Sequence, residues 1–396
     1  MKKKYFFFLL LFSIYTGLGA QIKLSEYAEV SIVTAGPGNE FYEAFGHSAI
    51  RVQDSALNFD VIYNYGVFDF NQPNFYLNFA KGNMVYSLAR YNFTYFLASY
   101  KNDKRWLKQQ VLNLTQAEKQ AYFNRLEKNA LFKNKNYQYD PYFNNCATIL
   151  RDLTKSVLGN RIVFNSNTSK YTGSLRQLTN HEIHWNSWGH FGLNLISGTR
   201  LDTKASFEEL MFLPDYVFSS FKNANILDGN KLKKLVLRED TLLNFKEKEP
   251  TTSLLNPFLL SCILSLFGIF VTYTDFKTNK RTKLLDFTLF FITGIIGCIL
   301  IFLWFFSSHS ITPTNFNILW AFAINIIISF FMLKTHLPRW FQKYLIILIF
   351  FLVVISITWL FSIQVFPLPI LPIMILLFIR YLFLSKTIDL YKIGLL

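Results

Sequence analysis

Cysteine is scarce in this chain: three in 396 residues, two of which, Cys262 and Cys298, lie in the strongly apolar C-terminal third. No disulfide framework can be read from that number. The third, Cys146, is a lone thiol, and in an oxidising compartment it is either inert and buried or kept for chemistry. Acidic residues are few as well, 25 against 40 Lys and Arg, for a net charge of +15. A surplus of that sign can serve nucleic acid. The leader and membrane segments described below argue against such a partner and assign part of the charge to membrane loops. No internal repeat is visible, so no solenoid is expected. The His-Glu-x-x-His spacing of a metal site is missing too: His181-Glu182-Ile183-His184, with His190 beyond Trp188-Gly189, reads as a surface or packing cluster. Neither a metal nor a cofactor is expected.

Apolar residues are in excess, at 52%, too many for one ordinary soluble domain. Met1-Lys2-Lys3-Lys4, an apolar run from Tyr5 to Ile14 and the small residues Gly19-Ala20 read as a secretory signal peptide cleaved after Ala20. No cysteine follows that position, so the chain is not expected to be a lipoprotein itself. From Leu254 onward come five apolar stretches, near 254–273, 287–306, 316–333, 345–361 and 368–384. Each is close to the roughly 20 residues that a helix needs to cross a bilayer. Lys277, Lys280, Arg281 and Lys283 follow the first stretch, and Lys334, Arg339 and Lys343 follow the third. The loops 307–315 and 364–367 carry no Lys or Arg. The basic loops are therefore expected in the cytoplasm and everything before Leu254 outside it, which agrees with the leader. Arg380, inside the last stretch, is expected to snorkel to the cytoplasmic surface.

The expected division is a signal peptide at 1–20, a periplasmic domain at 21–250 and a membrane domain at 251–396. Within the periplasmic part, 28–34, 47–52, 61–68 and 84–91 read as strands. Thr115-Gln116-Ala117-Glu118 is a capping box opening a helix to about Phe132. A second helix starts at Cys146 and stops at Gly159. Asp228-Gly229 suits a hairpin between 225–227 and 231–237. Lys246-Glu247-Lys248-Glu249-Pro250 reads as a charged linker. Phe75 to Tyr100 is rich in aromatics, which suits either core strands or a lipid-facing surface.

Asp140-Pro141 favours a turn just before Cys146, which places the thiol at a helix start, where the dipole favours thiolate. Leu150, Leu153 and Val157 mark the buried face of that helix, and Cys146 lies one turn before Leu150. If this face packs on a sheet, a strand histidine can reach the sulfur. His47, at the start of the 47–52 strand, is that histidine. It would act as base, with helix-start N–H groups holding the oxyanion. Asn64 on the next strand is the candidate to orient the imidazole. Taken singly, a helix-start cysteine is more often a small buried hydrophobe and a strand-start histidine more often structural.

Phe45-Gly46-His47-Ser48, Tyr63-Asn64-Tyr65-Gly66 and Asn144-Asn145-Cys146 with Arg151-Asp152 resemble the Lnb-type family of bacterial lipoprotein N-acyltransferases. The order histidine first, cysteine later also resembles circularly permuted papain-like (NlpC-type) domains, lecithin:retinol acyltransferase among them. The resemblance implies a fold: an α+β permuted papain-like periplasmic domain followed by an all-α five-helix transmembrane bundle in the bacterial inner membrane. It implies Cys146 and His47 as the catalytic pair, a phospholipid acyl donor and diacylglyceryl lipoproteins as acceptors. Moving about fifteen methylenes into water costs on the order of 12 kcal/mol, so such an enzyme should hold its thiolate at the bilayer surface. Arg51 and Arg151 are candidates to bind a lipid phosphate, although a structural ion pair is the favoured reading for each. His309, in an extracytoplasmic loop, is a candidate for headgroup contact. The alternative reading is a membrane-anchored cysteine peptidase or amidase acting on cell-wall peptide. A third, a scaffold without catalysis, needs neither Cys146 nor His47.

Overall fold

A computed structural model describes residues 22–166, 171–247, 249 and 251–392. The signal-peptide reading falls outside them. β1 (Glu29–Ala35), β2 (His47–Asp54), β3 (Phe59–Val67), β4 (Val85–Asn92), β5 (Leu107–Leu112) and β6 (Asn136–Gln138) belong to one sheet. β7 (Ile162–Val163) joins the hairpin of β8 (Asn225–Asp228) and β9 (Lys231–Lys234) in a small second sheet. β10 (Val236–Leu243) returns to the first, whose order is β10-β5-β1-β2-β3-β4-β6, antiparallel throughout.

The two-residue period of the strands sorts the core. Ile32, Ile50 and Tyr63 face one layer, and their neighbours Val33, Ala49 and Ile62 face the other. Short α1 (Phe75–Ala80) lies between β3 and β4, and α2 (Phe93–Asn102) buries Phe93, Phe96 and Tyr100 on the Val33 face. On the opposite face sit α3 (Gln116–Ala130) and α4 (Cys146–Leu158), bringing Phe123, Leu150 and Leu153. α5 (Leu175–Glu182), α6 (Trp188–Ile196), α7 (Phe207–Leu210) and α8 (Pro214–Asn223) follow, and α8 adds Phe221 to that layer.

The expected capping box and the expected helix stop are both present. Thr115 and Glu118 form the capping box of α3, and Gly159, at φ +58°, ends α4. The aromatic-rich segment divides between α1, with Tyr76 and Leu77 exposed, the strand β4, and the buried side of α2. One expected strand is corrected. Residues 231–237 do not stay in one sheet: Leu235 is fully buried and bonds Ala224 and Asn113, so the chain crosses there to pair with β5.

Among the described residues, four helices are long and apolar enough to cross a membrane: α9 (Pro257–Thr278), α10 (Lys283–Phe305), α12 (Trp340–Leu360) and, over Ile370–Thr387, α13 (Ile370–Lys392). The expected span 316–333 is not one of them. It consists of a 3-10 turn, Phe316–Leu319, and the seven-residue α11 (Asn325–Phe331). Two causes are visible. Asn315 accepts from Asn317 N–H in a local turn that competes with helix, and buried Asn317 and Asn325 bond Leu195 O and Thr293. The broken backbone also presses on glycines of α10, where a Cβ at Gly297 would stand 2.1 Å from Ala321 O. Irregular backbone is tolerated at membrane depth where protein buries it. One end of this segment lies against Leu195 and Thr199, the other against Arg281 and Lys283.

Arg380 does not snorkel. It is fully buried and pairs with Asp286 at 2.6 Å and Asp275 at 2.8 Å, and Arg281 shares Asp286 at 3.0 Å. Two carboxylates within reach make pairing cheaper than stretching to a surface.

Candidate active site

The β2–β3 ladder ends at Ile50↔Tyr63, three residues short of His47, and the β3–β4 register breaks between Asn64 and Val67. Gly66 supplies that break with φ +92°, a conformation that favours glycine. The start of α4 fits against this opening, and a Cβ at Gly66 would lie 3.7 Å from the Cβ of Cys146. Asn145 sets the start of the helix. Its side-chain oxygen accepts from Ala147 and Thr148 N–H, and its amide donates to Pro141 O and Phe212 O. Asp140 shapes the preceding turn by accepting from Tyr142 and Phe143 N–H.

Cys146 is 8% exposed, and its sulfur shares a hydrogen bond with the His47 imidazole. His47 Nε2 stands 2.6 Å from Asn64 Oδ1, which leaves Nδ1 as the nitrogen facing the thiol. An amide oxygen only accepts, so Nε2 carries a proton. Asn64 is held in turn by Tyr91, whose hydroxyl accepts from its Nδ2 at 3.2 Å.

Burial alone would push the thiol pKa up. The charge of His47 opposes it, joined by hydrogen bonds from His47 and from the backbone N–H groups of Ser48 and Ala147, and the net direction is downward. Burial would likewise depress His47, but the charge of Cys146 and the bonds to Cys146 and Asn64 carry it upward. Both directions favour a thiolate beside an imidazolium, the activated form of a cysteine nucleophile.

Two family models match the chain: the Lnb N-terminal periplasmic domain over residues 20–181 and the Lnb transmembrane domain over residues 248–390. The chain belongs to the Lnb-type family. Comparison with curated proteins and with solved structures gave no match. With four apolar helices beside a domain of the periplasmic type, this Lnb-type chain is a multi-pass membrane protein with a periplasmic domain.

Not every residue singled out in the sequence of this Lnb-type chain reaches the Cys146–His47 cluster. Arg51 forms a two-toothed ion pair with Asp60, donates to Gln109 and lies over the Phe93 ring, so its guanidinium is engaged under α2. Arg151 pairs with Asp152 and donates to Glu208 O on α7. His309 lies against the sheet domain, its Nε2 2.8 Å from Phe79 O. His181 pairs with Glu182, His184 accepts from Asn186 N–H, and His190 is buried in α6. No three metal-ligating side chains come together among the described residues. Tyr91 and Tyr139 were not singled out by sequence. Tyr139 stacks on Tyr86 at 4.1 Å, and its ring would lie 3.9 Å from a Cβ at Gly66. Only the strand register, invisible in the sequence, brings it there.

Proposed function

We propose that this chain is a lipoprotein N-acyltransferase of the bacterial inner membrane that carries the acyl group on Cys146. The observation behind this reading is the hydrogen-bonded Cys146–His47–Asn64 array, which favours thiolate and sits in a domain bonded to the end of a membrane bundle. The order of histidine and cysteine along the chain fits a permuted papain-like arrangement.

The reaction has two halves. The Cys146 thiolate attacks the ester carbonyl of a phospholipid, and the Cys146 amide, the helix-start donor that Asn145 does not cap, holds the oxyanion. As the C–O bond breaks, the His47 imidazolium gives its proton to the departing lysolipid alkoxide, leaving a thioester and a neutral imidazole. The α-amine of a diacylglyceryl-cysteine then attacks the thioester. His47 takes a proton from the attacking nitrogen, the C–N bond forms, the C–S bond breaks, and the thiolate–imidazolium pair returns. Asn64 keeps the ring in the tautomer that both halves need.

The test is mass spectrometry of lipoprotein N-termini in cells with and without the protein, together with acid-trapped wild-type enzyme. An acyl adduct on Cys146 and loss of the N-acyl group in Cys146→Ala are expected. No adduct, with full activity in Cys146→Ala, would sink the reading.

A further inference from the structure

A cavity of about 220 Å³ lies where the sheet domain meets the bundle, lined by Gly82, Gln138, Tyr139 and Asp140 on one side and by Ser308 and His309 on the other. A water's share of the liquid is about 30 Å³, so the space takes an amino-acid-sized group. It stands one side chain from the nucleophile, because Tyr139 and Cys146 both flank Gly66. Its walls are fixed relative to each other: Ser308 N–H donates to Lys81 O, and His309 bonds Phe79 O.

Two groups in this wall suit an ammonium. Asp140 uses Oδ1 for the turn before Cys146, accepting from Tyr142 and Phe143 at 2.9 and 3.0 Å, which leaves Oδ2 outside those bonds. A carbonyl only accepts, so the Nε2 of His309 that meets Phe79 O must carry the hydrogen, and Nδ1 is left with its lone pair. Burial lowers the basicity of His309, opposed by its bond to Phe79 O and by the charge of Asp140, which therefore acts on the ring from nearby.

We propose that this cavity is the acceptor subsite: Asp140 binds the α-ammonium of the lipidated cysteine and His309 takes its first proton, delivering a neutral amine to the thioester. This rests on the acyl-transfer reading and deepens it. An ammonium cannot attack, since its nitrogen has no free electron pair. One proton therefore passes to His309 Nδ1 before the C–N bond forms, and the second passes to His47 during attack. His309 then releases its proton to solvent.

The experiment uses the full-length protein in phosphatidylethanolamine vesicles with a synthetic diacylglyceryl-cysteinyl peptide. It follows acyl-Cys146 and the N-acyl peptide separately. Asp140→Asn keeps the Oδ1 acceptor of the turn, and His309→Gln keeps a donor for Phe79 O, so both retain the local fold. In each variant acyl-Cys146 is expected to form at the wild-type rate and accumulate, while N-acyl peptide falls at least tenfold. Unchanged peptide acylation in both variants overturns the proposal. So does loss of acyl-Cys146 formation in step with transfer, because the residues would then act before the thioester. A wild-type protein that never forms acyl-Cys146 overturns the underlying reading instead, which keeps the two failures apart.

Discussion

The charge of His47, joined by hydrogen bonding from its ring and from the Ser48 and Ala147 amides, holds the Cys146 thiol below its ordinary pKa against burial, and this sets its reactivity toward a small electrophile that needs no substrate pocket. Alkylation by iodoacetamide should reach its plateau below the ordinary thiol pKa of about 8.5, because the thiolate is already populated there. As pH falls through the lowered thiol pKa, the rate should drop. In His47→Ala the midpoint should move upward, since burial then acts without its opponent; an unmoved midpoint would show that His47 does not set the thiolate. Asn64→Ala removes a bond to the charged ring that holds the thiolate–imidazolium pair, worth about 1.5–3 kcal/mol, so acyl-Cys146 formation should slow about 10- to 100-fold. The proximity of His47 and Cys146 was legible only from the two together, a thiol at a helix start whose buried face packs on the sheet and a histidine at a strand start, since neither alone carries the signal. The arginines were misleading for a geometric reason. Arg51 shares a strand face with His47 but stands about 13 Å along it, at about 3.3 Å per residue. Arg151 lies about 140° around the helix from Cys146.

Within the bundle, the three elements α9, α10 and α13 meet at a charge cluster that has no outlet to water: Arg380 and Asp286 are both fully buried. Replacing Asp286 leaves Arg380 with Asp275 as its remaining carboxylate and takes the carboxylate from Arg281. Asp286→Asn is therefore expected to cost about 3–5 kcal/mol and to lower the melting temperature of the detergent-purified protein, whereas Lys277→Ala on the same side should do little. Equal melting of the Asp286 variant and wild type would refute a structural role for the cluster. Capped and periodic elements, α3, α4 and strands β1 to β4, were legible from the sequence. The 316–333 segment was not, because its hydropathy reads as a span while its asparagines and the glycines Gly294 and Gly297 opposite break the helix. The split at Leu235 left one trace, the lapse of alternation at Lys233-Lys234 and Leu235-Val236-Leu237, and the burial of Leu235 marks the crossing.

The whole molecule is joined by a collar, residues 186–202, that lies in the stretch matched by neither family model. Gly198 and Thr199 N–H donate to Ile311 O and Thr314 O, Gln364 donates to Ser197 O, and Trp188 donates to Leu255 O. A Cβ on Gly198 would stand 1.8 Å from Pro313 O, so Gly198→Val should pry the sheet domain from the bundle. Iodoacetamide should still modify Cys146 at the wild-type rate in that variant, while acyl transfer from vesicles falls; transfer at full rate would show that docking is dispensable. The orientation of the collar was readable only as far as the charge-free loops placed 307–315 and 364–367 on the same side as the sheet. The collar itself was not read from the sequence, since nothing local to Trp188–Ile196 shows that it docks on the bundle. Its rigidity reaches beyond the enzyme to what the enzyme can accept. On the proposed acyl transfer, with the thiol held at one height, a lipoprotein acceptor would have to raise its amino end while its lipid tails stay in the bilayer and its folded body stays clear. That takes a leash of extended residues after the anchor, each spanning about 3.3–3.6 Å. A passenger folded tight against its lipid should be a poor acceptor until a few residues are inserted, so candidates are sorted by their slack.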